Sequence, residues 1–217
     1  MKLPRVYPIL DSQTLEARGL GLASTAAAFL DGGAEILQIR HKGHWGREAF
    51  EAAWEIARLC READALLIVD DRADFAMLLE AGLHVGQDDL APQDARRLMG
   101  PAALIGFSSH NVDQLLAAAA EPVDYVALGP VFPTASKRNP DPVVGIEELR
   151  RCRRLIAKPL VAIGGITPAN AADVLRAGAD SLAVIAGLLP EAATAQSLRR
   201  RMEEWRQLAT AVPTTAV

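Results

Sequence analysis

Leu160-Val161-Ala162-Ile163-Gly164-Gly165-Ile166-Thr167-Pro168 and, further on, Ser181-Leu182-Ala183-Val184-Ile185-Ala186-Gly187 are two apolar runs that each end in glycine. Each reads as a strand buried on both faces, the pattern of a parallel sheet covered by helices. After the first run the chain turns through small, bare backbone, and its residue types then predict a helix with Thr167 as N-cap and Pro168 in its first turn. Backbone N–H groups beside a helix start make a phosphate cradle. Two such strand ends in succession, late in the chain, match the phosphate site after strands 7 and 8 of a (β/α)8 barrel.

Working outward, similar runs predict earlier strands at 6–10, 35–40, 66–70, 82–86, 104–109 and 125–131, with the last two at 160–166 and 181–187. Helical patterns lie between them at 14–31, 46–63, 72–80, 92–99, 111–120, 145–157, 168–177 and 192–208. The alternation has no break in composition, so the expected fold is α/β, a single (β/α)8 TIM barrel over residues 1–210 with a frayed tail at 211–217. An open, doubly wound sheet is the alternative, but it rarely carries polar residues at nearly every strand end.

The 217 residues, half of them hydrophobic, suffice for one barrel core. A net charge of −4 argues against a general nucleic-acid or membrane partner. Arg150-Arg151-Cys152-Arg153-Arg154 and Arg199-Arg200-Arg201 sit in helical patterns and read as solvated faces. Cys60 and Cys152 have no metal or redox spacing, which fits a reducing cytoplasm. Met1-Lys2-Leu3-Pro4-Arg5 leads into the first strand without an apolar signal core, and no apolar run approaches the ~18 residues of a membrane helix. A homo-oligomer is left open.

A barrel carries its chemistry at the C-terminal ends of its strands. After strand 2, the period of two puts Gln38 and Arg40 on one face with Lys42 just beyond, a set that suits a polar ring plus a polyphosphate. Strand 3 ends in Asp70-Asp71-Arg72 and strand 4 in Gly86-Gln87-Asp88-Asp89. Carboxylates on adjacent strand ends can share Mg2+, which takes one or two of them with waters and substrate phosphates. Each pair also precedes a helix and suits capping, and the two roles can coexist. Strand 5 ends in Ser108-Ser109-His110-Asn111, a hydroxyl-rich turn that suits either phosphate or a helix cap. His84, inside strand 4, reads as a hydrogen-bonded core histidine. After strand 6, the long stretch from Phe132 to Gly145 carries Thr134, Ser136 and Lys137, expected phosphate contacts on a lid, with a stiff surface loop set by Pro140 and Pro142 as the alternative. No Ser-His-Asp order or HExxH pattern points to a hydrolase. One barrel mouth therefore holds a bare-backbone phosphate site and a separate cation-and-carboxylate site.

Taken in order, Gln38-Ile39-Arg40-His41-Lys42, Asp70-Asp71-Arg72, His84-Val85-Gly86-Gln87-Asp88-Asp89, Gly129-Pro130-Val131-Phe132-Pro133-Thr134 and Ile163-Gly164-Gly165-Ile166 resemble the thiamine-phosphate synthase family over nearly the whole chain. The resemblance implies a transferase that joins hydroxymethylpyrimidine diphosphate to hydroxyethylthiazole phosphate, with release of pyrophosphate. It implies Mg2+ on Asp71 and Asp89, and diphosphate on Arg40, Lys42, Ser108 and Lys137. It implies Gln38 and Asp70 at the aminopyrimidine, Thr134 and Ser136 at the thiazole phosphate, and Gly165 with the backbone of Ile185 and Ala186 completing that cradle. Three positions depart from the family pattern: Asp70 stands for the usual Asn, His41 for Glu and Ala186 for Ser. The competing readings are a thiazole tautomerase of the same superfamily, a non-catalytic binder of thiamine intermediates, and another phosphate-binding barrel enzyme. None of these needs a diphosphate site with Mg2+.

Overall fold

The computed structural model describes residues 2–134 and 141–213. Its strands are β1 (Val6–Asp11), β2 (Ile36–Arg40), β3 (Leu66–Asp70), β4 (Gly82–Val85), β5 (Ile105–Ser109), β6 (Tyr125–Leu128), β7 (Leu160–Ile163) and β8 (Ser181–Val184). Each pairs in parallel with the next, and β8 returns to β1, so the sheet closes as the expected (β/α)8 barrel.

The helices are α1 (Ser12–Ala17), α2 (Leu22–Asp31), α3 (Arg47–Glu62), α4 (Ala73–Leu78), α5 (Pro92–Met99), α6 (Val112–Ala120), α7 (Ile146–Arg153), α8 (Ala171–Arg176) and α9 (Ala195–Ala211). α3 shows why they form and where they face. Its Ala53, Ile56, Ala57 and Cys60, spaced three and four apart, are buried, while Arg58 pairs with Glu55 and Glu62 on the solvent side. α9 opens with a reciprocal Thr194–Ser197 cap and buries Leu198, Met202, Trp205 and Ala209 on one stripe. Among the described residues no helix is long and apolar enough to cross a membrane.

Parity along the strands sorts the core into two. Val6, Leu10, Leu37, Ile39, Val69 and Leu83 pack outward beneath the helices. Tyr7, Ile9, Ile36, Ile68, Tyr125, Ala127, Val161 and Ala183 fill the barrel interior. Because side chains alternate, the inward set continues upward into Asp11, Gln38, Arg40, Asp70, His84 and Ser108. The apolar barrel floor and the polar mouth are successive positions of the same strand faces.

The structure corrects the sequence reading in five places. The helical pattern 14–31 is two helices, broken at Arg18–Gly21. β6, β7 and β8 end about a turn early, and a short 3-10 turn, Ala186–Leu188, follows β8. Thr167 is not an N-cap: α8 starts later, with Asn170 at its cap position, and Asn170 Oδ1 accepts from the Thr167 N–H at 2.8 Å. The Arg150–Arg154 run is not all solvated. Arg153, four residues after buried Leu149, turns inward, and its Nη1 donates to Asp180 Oδ2 at 2.8 Å. Of the segment 211–217, Ala211 closes α9 and Val212 is buried, whereas 214–217 lie outside the described residues.

Candidate active site

A cavity of about 730 Å3 opens at the C-terminal ends of the strands. Gln38, Arg40, Lys42, Asp70, Asp71, Asp89, Ser108, Thr134, Gly165, Ile185 and Ala186 all line it. Of the residues singled out from sequence, Ser136 and Lys137 lie outside the described residues.

One end of the cavity is ionic. Arg40 pairs with buried Asp11, and its Nε lies 3.7 Å from Asp70 Oδ2. Lys42 pairs with Asp71, and its Nζ sits 2.9 Å from Asp70 Oδ2. That approach is off the hydrogen-bonding directions, so the buried Oδ2 has an ionic neighbour and no directed hydrogen bond. Burial opposes the Lys42 charge, but Asp70 and Asp71 outweigh it and hold the ammonium above its ordinary pKa. Burial pushes the Asp70 carboxyl up against the pull of Lys42 and Arg40, and Asp89 adds to the rise.

Neither acidic pair caps a helix: α4 and α5 start without a side-chain cap. Asp71 instead takes the left-handed region at φ +63°, held by its N–H to the His84 carbonyl at 2.8 Å. Asp89 Oδ2 accepts from the Gly86 N–H at 2.8 Å. Burial raises the Asp89 carboxyl, and the facing Asp71 carboxylate raises it further. Two carboxylates that repel each other across a mouth are a place where a hard cation lowers the energy. No cluster of three or more metal-ligating side chains occurs among the described residues. A cation held between Asp71 and Asp89 would have two carboxylates from the protein, leaving water and phosphate to complete its shell.

The opposite end is backbone. Gly164 and Gly165 follow β7 at φ +98° and +63°. A Cβ on Gly164 would lie 2.5 Å from Pro130 Cβ, and one on Gly165 would lie 2.5 Å from the Pro133 carbonyl oxygen. Only glycine fits this turn, which leaves bare main chain facing the cavity beside residues 184–187 at the end of β8. The stretch expected from sequence to be a phosphate cradle is a left-handed glycine turn, and no helix starts at Thr167.

A buried polar chain joins the interior to the mouth. Gln38 Nε2 donates to Tyr7 Oη at 3.0 Å, the Tyr7 and Tyr125 hydroxyls are 2.9 Å apart, Tyr125 Oη is 3.1 Å from His84 Nδ1, and His84 Nε2 is 2.8 Å from Ser108 Oγ. Burial, with the Lys42 charge second, pushes the His84 pKa down to about 4, so the ring is neutral at pH 7. Burial raises both phenols, which stay protonated. Sequence reading identified His84 as a core histidine and missed Tyr7, Tyr125 and Asp11. Their signal was parity: each stands on the inward face of a strand whose other inward residues were legible.

The thiamine monophosphate synthase family model matches residues 6–188. The chain belongs to that family. It is a family of transferases. The chain is 45% identical over 211 residues to the thiamine-phosphate synthase of Koribacter versatilis (strain Ellin345), covering 96% of this chain and 97% of that protein. It is 46% identical over 185 residues to that of Methanoculleus marisnigri (strain ATCC 35101 / DSM 1498 / JR1), covering 83% and 86%. A solved thiamine phosphate pyrophosphorylase from Pyrococcus furiosus superposes with a TM-score of 0.82 at 32% identity, over 96% of each chain. The match runs from β1 to the turn after β8, so both ends of the cavity fall inside it.

Proposed function

We propose that this member of the family joins hydroxymethylpyrimidine diphosphate to hydroxyethylthiazole phosphate, forming thiamine phosphate and pyrophosphate. The observation that carries the reading is one cavity with two unlike ends, cations and carboxylates at β2–β4 and bare glycine backbone at β7–β8, each suited to an anion of its own. A tautomerase or a binder of the thiazole alone has no use for the first.

The reaction is substitution at carbon. The C–O bond to the diphosphate breaks, the electron pair leaves with pyrophosphate, and the thiazole nitrogen supplies the pair that forms the new C–N bond. Charge stabilisation therefore carries the catalysis, and no protein nucleophile is needed. Arg40, Lys42, Ser108 and Lys137 bind the departing diphosphate. Lys42 is poised for this, because its present partners are carboxylates it can exchange for phosphate oxygens. Gln38 and Asp70 orient the aminopyrimidine, and the buried Asp70 Oδ2, without a directed hydrogen bond, suits the exocyclic amine. Its negative charge also favours positive charge growing on the ring. Thr134, Ser136, Gly165 and the main chain at Ile185 and Ala186 hold the thiazole phosphate, with backbone serving where Ala186 carries no hydroxyl.

The facing carboxylates of Asp71 and Asp89 fit Mg2+, and those two residues would hold it. When bound, Mg2+ neutralises charge on the leaving group. The test is pyrophosphate release by purified protein with both precursors, with and without Mg2+. Release that needs both precursors and Mg2+, with thiamine phosphate in equal amount, is expected. Binding of the thiazole phosphate with no release would overturn the reading in favour of a tautomerase or a binding protein.

A further inference from the structure

We infer that Gln38, Tyr7, Tyr125 and His84 form a one-way hydrogen-bond relay that turns the Ser108 hydroxyl hydrogen into the cavity, which makes Tyr7, Tyr125 and His84 positioning residues for the site.

The direction follows from counting hydrogens. Gln38 Nε2 is an amide nitrogen and only donates, so Tyr7 Oη accepts from it at 3.0 Å. Tyr7 is buried, and among the described residues its hydroxyl has one other partner, Tyr125 Oη at 2.9 Å. If Tyr125 donated here, the Tyr7 hydrogen would be buried without an acceptor, so Tyr7 donates. The single Tyr125 hydrogen then goes to its remaining partner, His84 Nδ1, at 3.1 Å. A neutral imidazole that accepts at Nδ1 carries its proton on Nε2, and this donates to Ser108 Oγ at 2.8 Å. Ser108 Oγ has therefore received its hydrogen bond from the protein, and its own hydrogen is left to donate into the cavity it lines.

The fold is built to make these links. Strand register aligns Asp70 with His84, His84 with Gly106, and Gly106 with Tyr125. Gly106 leaves room for the phenol to lie across the strand: a Cβ there would be 2.0 Å from Tyr125 Cζ. The Tyr125 and His84 rings stack at 5.6 Å with 20° between their planes, while Tyr7 meets Tyr125 edge-on.

Reversing the Gln38 amide reverses every link. Ser108 would then donate to His84 and turn only lone pairs toward an anion. In the sense set by the Gln38 amide, its carbonyl is the amide acceptor left over and Ser108 is a donor. The relay thus couples an acceptor suited to a ring amine with a donor suited to a phosphate, at two places on one ligand. That pairing with ligand groups rests on the proposed function; the direction of the relay does not.

Long-range 1H–15N correlation on the labelled full chain at neutral pH, without ligand, reads the His84 tautomer directly. The Nε2–H form is expected, and the Nδ1–H form would overturn the relay. Tyr125→Phe removes the donor to Nδ1, so the His84 tautomer ratio is expected to shift. Binding of Mg2+–pyrophosphate, followed by calorimetry, is expected to weaken about tenfold. Ser108→Ala added to Tyr125→Phe is expected to cost little more, because the two lie on one path. A purely structural phenol would lower thermal stability and leave both tautomer and affinity unchanged, which would overturn the positioning role. Should Tyr125→Phe not fold, Tyr7→Phe leaves His84 Nδ1 as the acceptor for the Tyr125 hydrogen, so the Nε2–H form is expected to persist in that variant, and an Nδ1–H form there would overturn the relay. If the wild-type protein shows the Nε2–H tautomer but does not bind Mg2+–pyrophosphate, the proposed function fails and the relay stands.

Discussion

At pH 5 the fold is expected to lose about 2 kcal/mol through His84 alone. The ring is buried on the inward face of β4 between Tyr125 and Ser108, and burial, with the Lys42 charge second, moves its pKa from 6.5 down to about 4 while Asp89 partly opposes the shift. Above pH 6.5 the ring is neutral in both the folded and the unfolded chain, and stability does not depend on it. As pH falls from 6.5 toward 4, the unfolded chain takes up a proton that the folded chain refuses, so stability falls with pH. Below pH 4 both forms are protonated and the loss is complete, about 3 kcal/mol at about 1.4 kcal/mol per pH unit. For a chain of this size the loss at pH 5 corresponds to a Tm lower by about 4–8 °C. The comparison is with His84→Gln, whose amide keeps polar atoms near Tyr125 and Ser108 but does not titrate. Urea unfolding of both proteins at about pH 7.5 and pH 5, without Mg2+, gives the double difference. The Asp70 carboxyl, raised by burial, contributes with the opposite sign, but it is present in both proteins and drops out. The wild type should lose about 2 kcal/mol more than the variant. An equal acid loss in the two proteins would refute a neutral, buried His84.

Three further perturbations probe other parts of the structure. Gly164→Ala places a Cβ 2.5 Å from Pro130 Cβ at φ +98°, and should cost about 2–4 kcal/mol from left-handed strain plus overlap; an unchanged Tm would contradict the close packing of the glycine turn. Asp89→Ala removes a side chain at the cavity mouth whose hydrogen bond is to the Gly86 N–H, so the circular dichroism spectrum should be retained while Mg2+-dependent turnover is abolished. Normal Mg2+-dependent activity in that variant would sink the metal assignment. Asp180→Ala strips buried Arg153 of its carboxylate and the Leu160 N–H of its acceptor, and should cost about 3 kcal/mol in denaturant unfolding; a loss under about 0.5 kcal/mol, the level of an ordinary surface change, would show that the guanidinium is not held as described.

Much of the barrel was legible because burial on both faces leaves long apolar runs that short-range pattern can see. All eight runs became strands of the closed sheet. The errors fell where local residue types suit more than one backbone path. Thr167-Pro168 suits a helix start, but the glycine turn packs against Pro130 and Pro133, and α8 begins later. Arg150–Arg154 looks like a solvated face, and the arrival of Asp180 beside α7 makes an inward guanidinium affordable.

The sequence by itself determined which strand ends carry chemistry and which residue types stand there, because parity and turn composition are local properties. Gln38, Arg40, Asp70, Asp71, Asp89, Ser108 and Gly165 could all be placed at the mouth on that basis. Only the tertiary structure decided who faces whom. The register of β1 on β2 brings Asp11 to Arg40, and barrel closure brings Tyr7 to Tyr125, 118 residues apart in the chain, so that their hydroxyls meet at 2.9 Å. It also leaves both acidic pairs free of helix capping and turns Asp71 toward Asp89. Such pairings depend on register and closure, which are set by the packing of the whole sheet and written in no single segment.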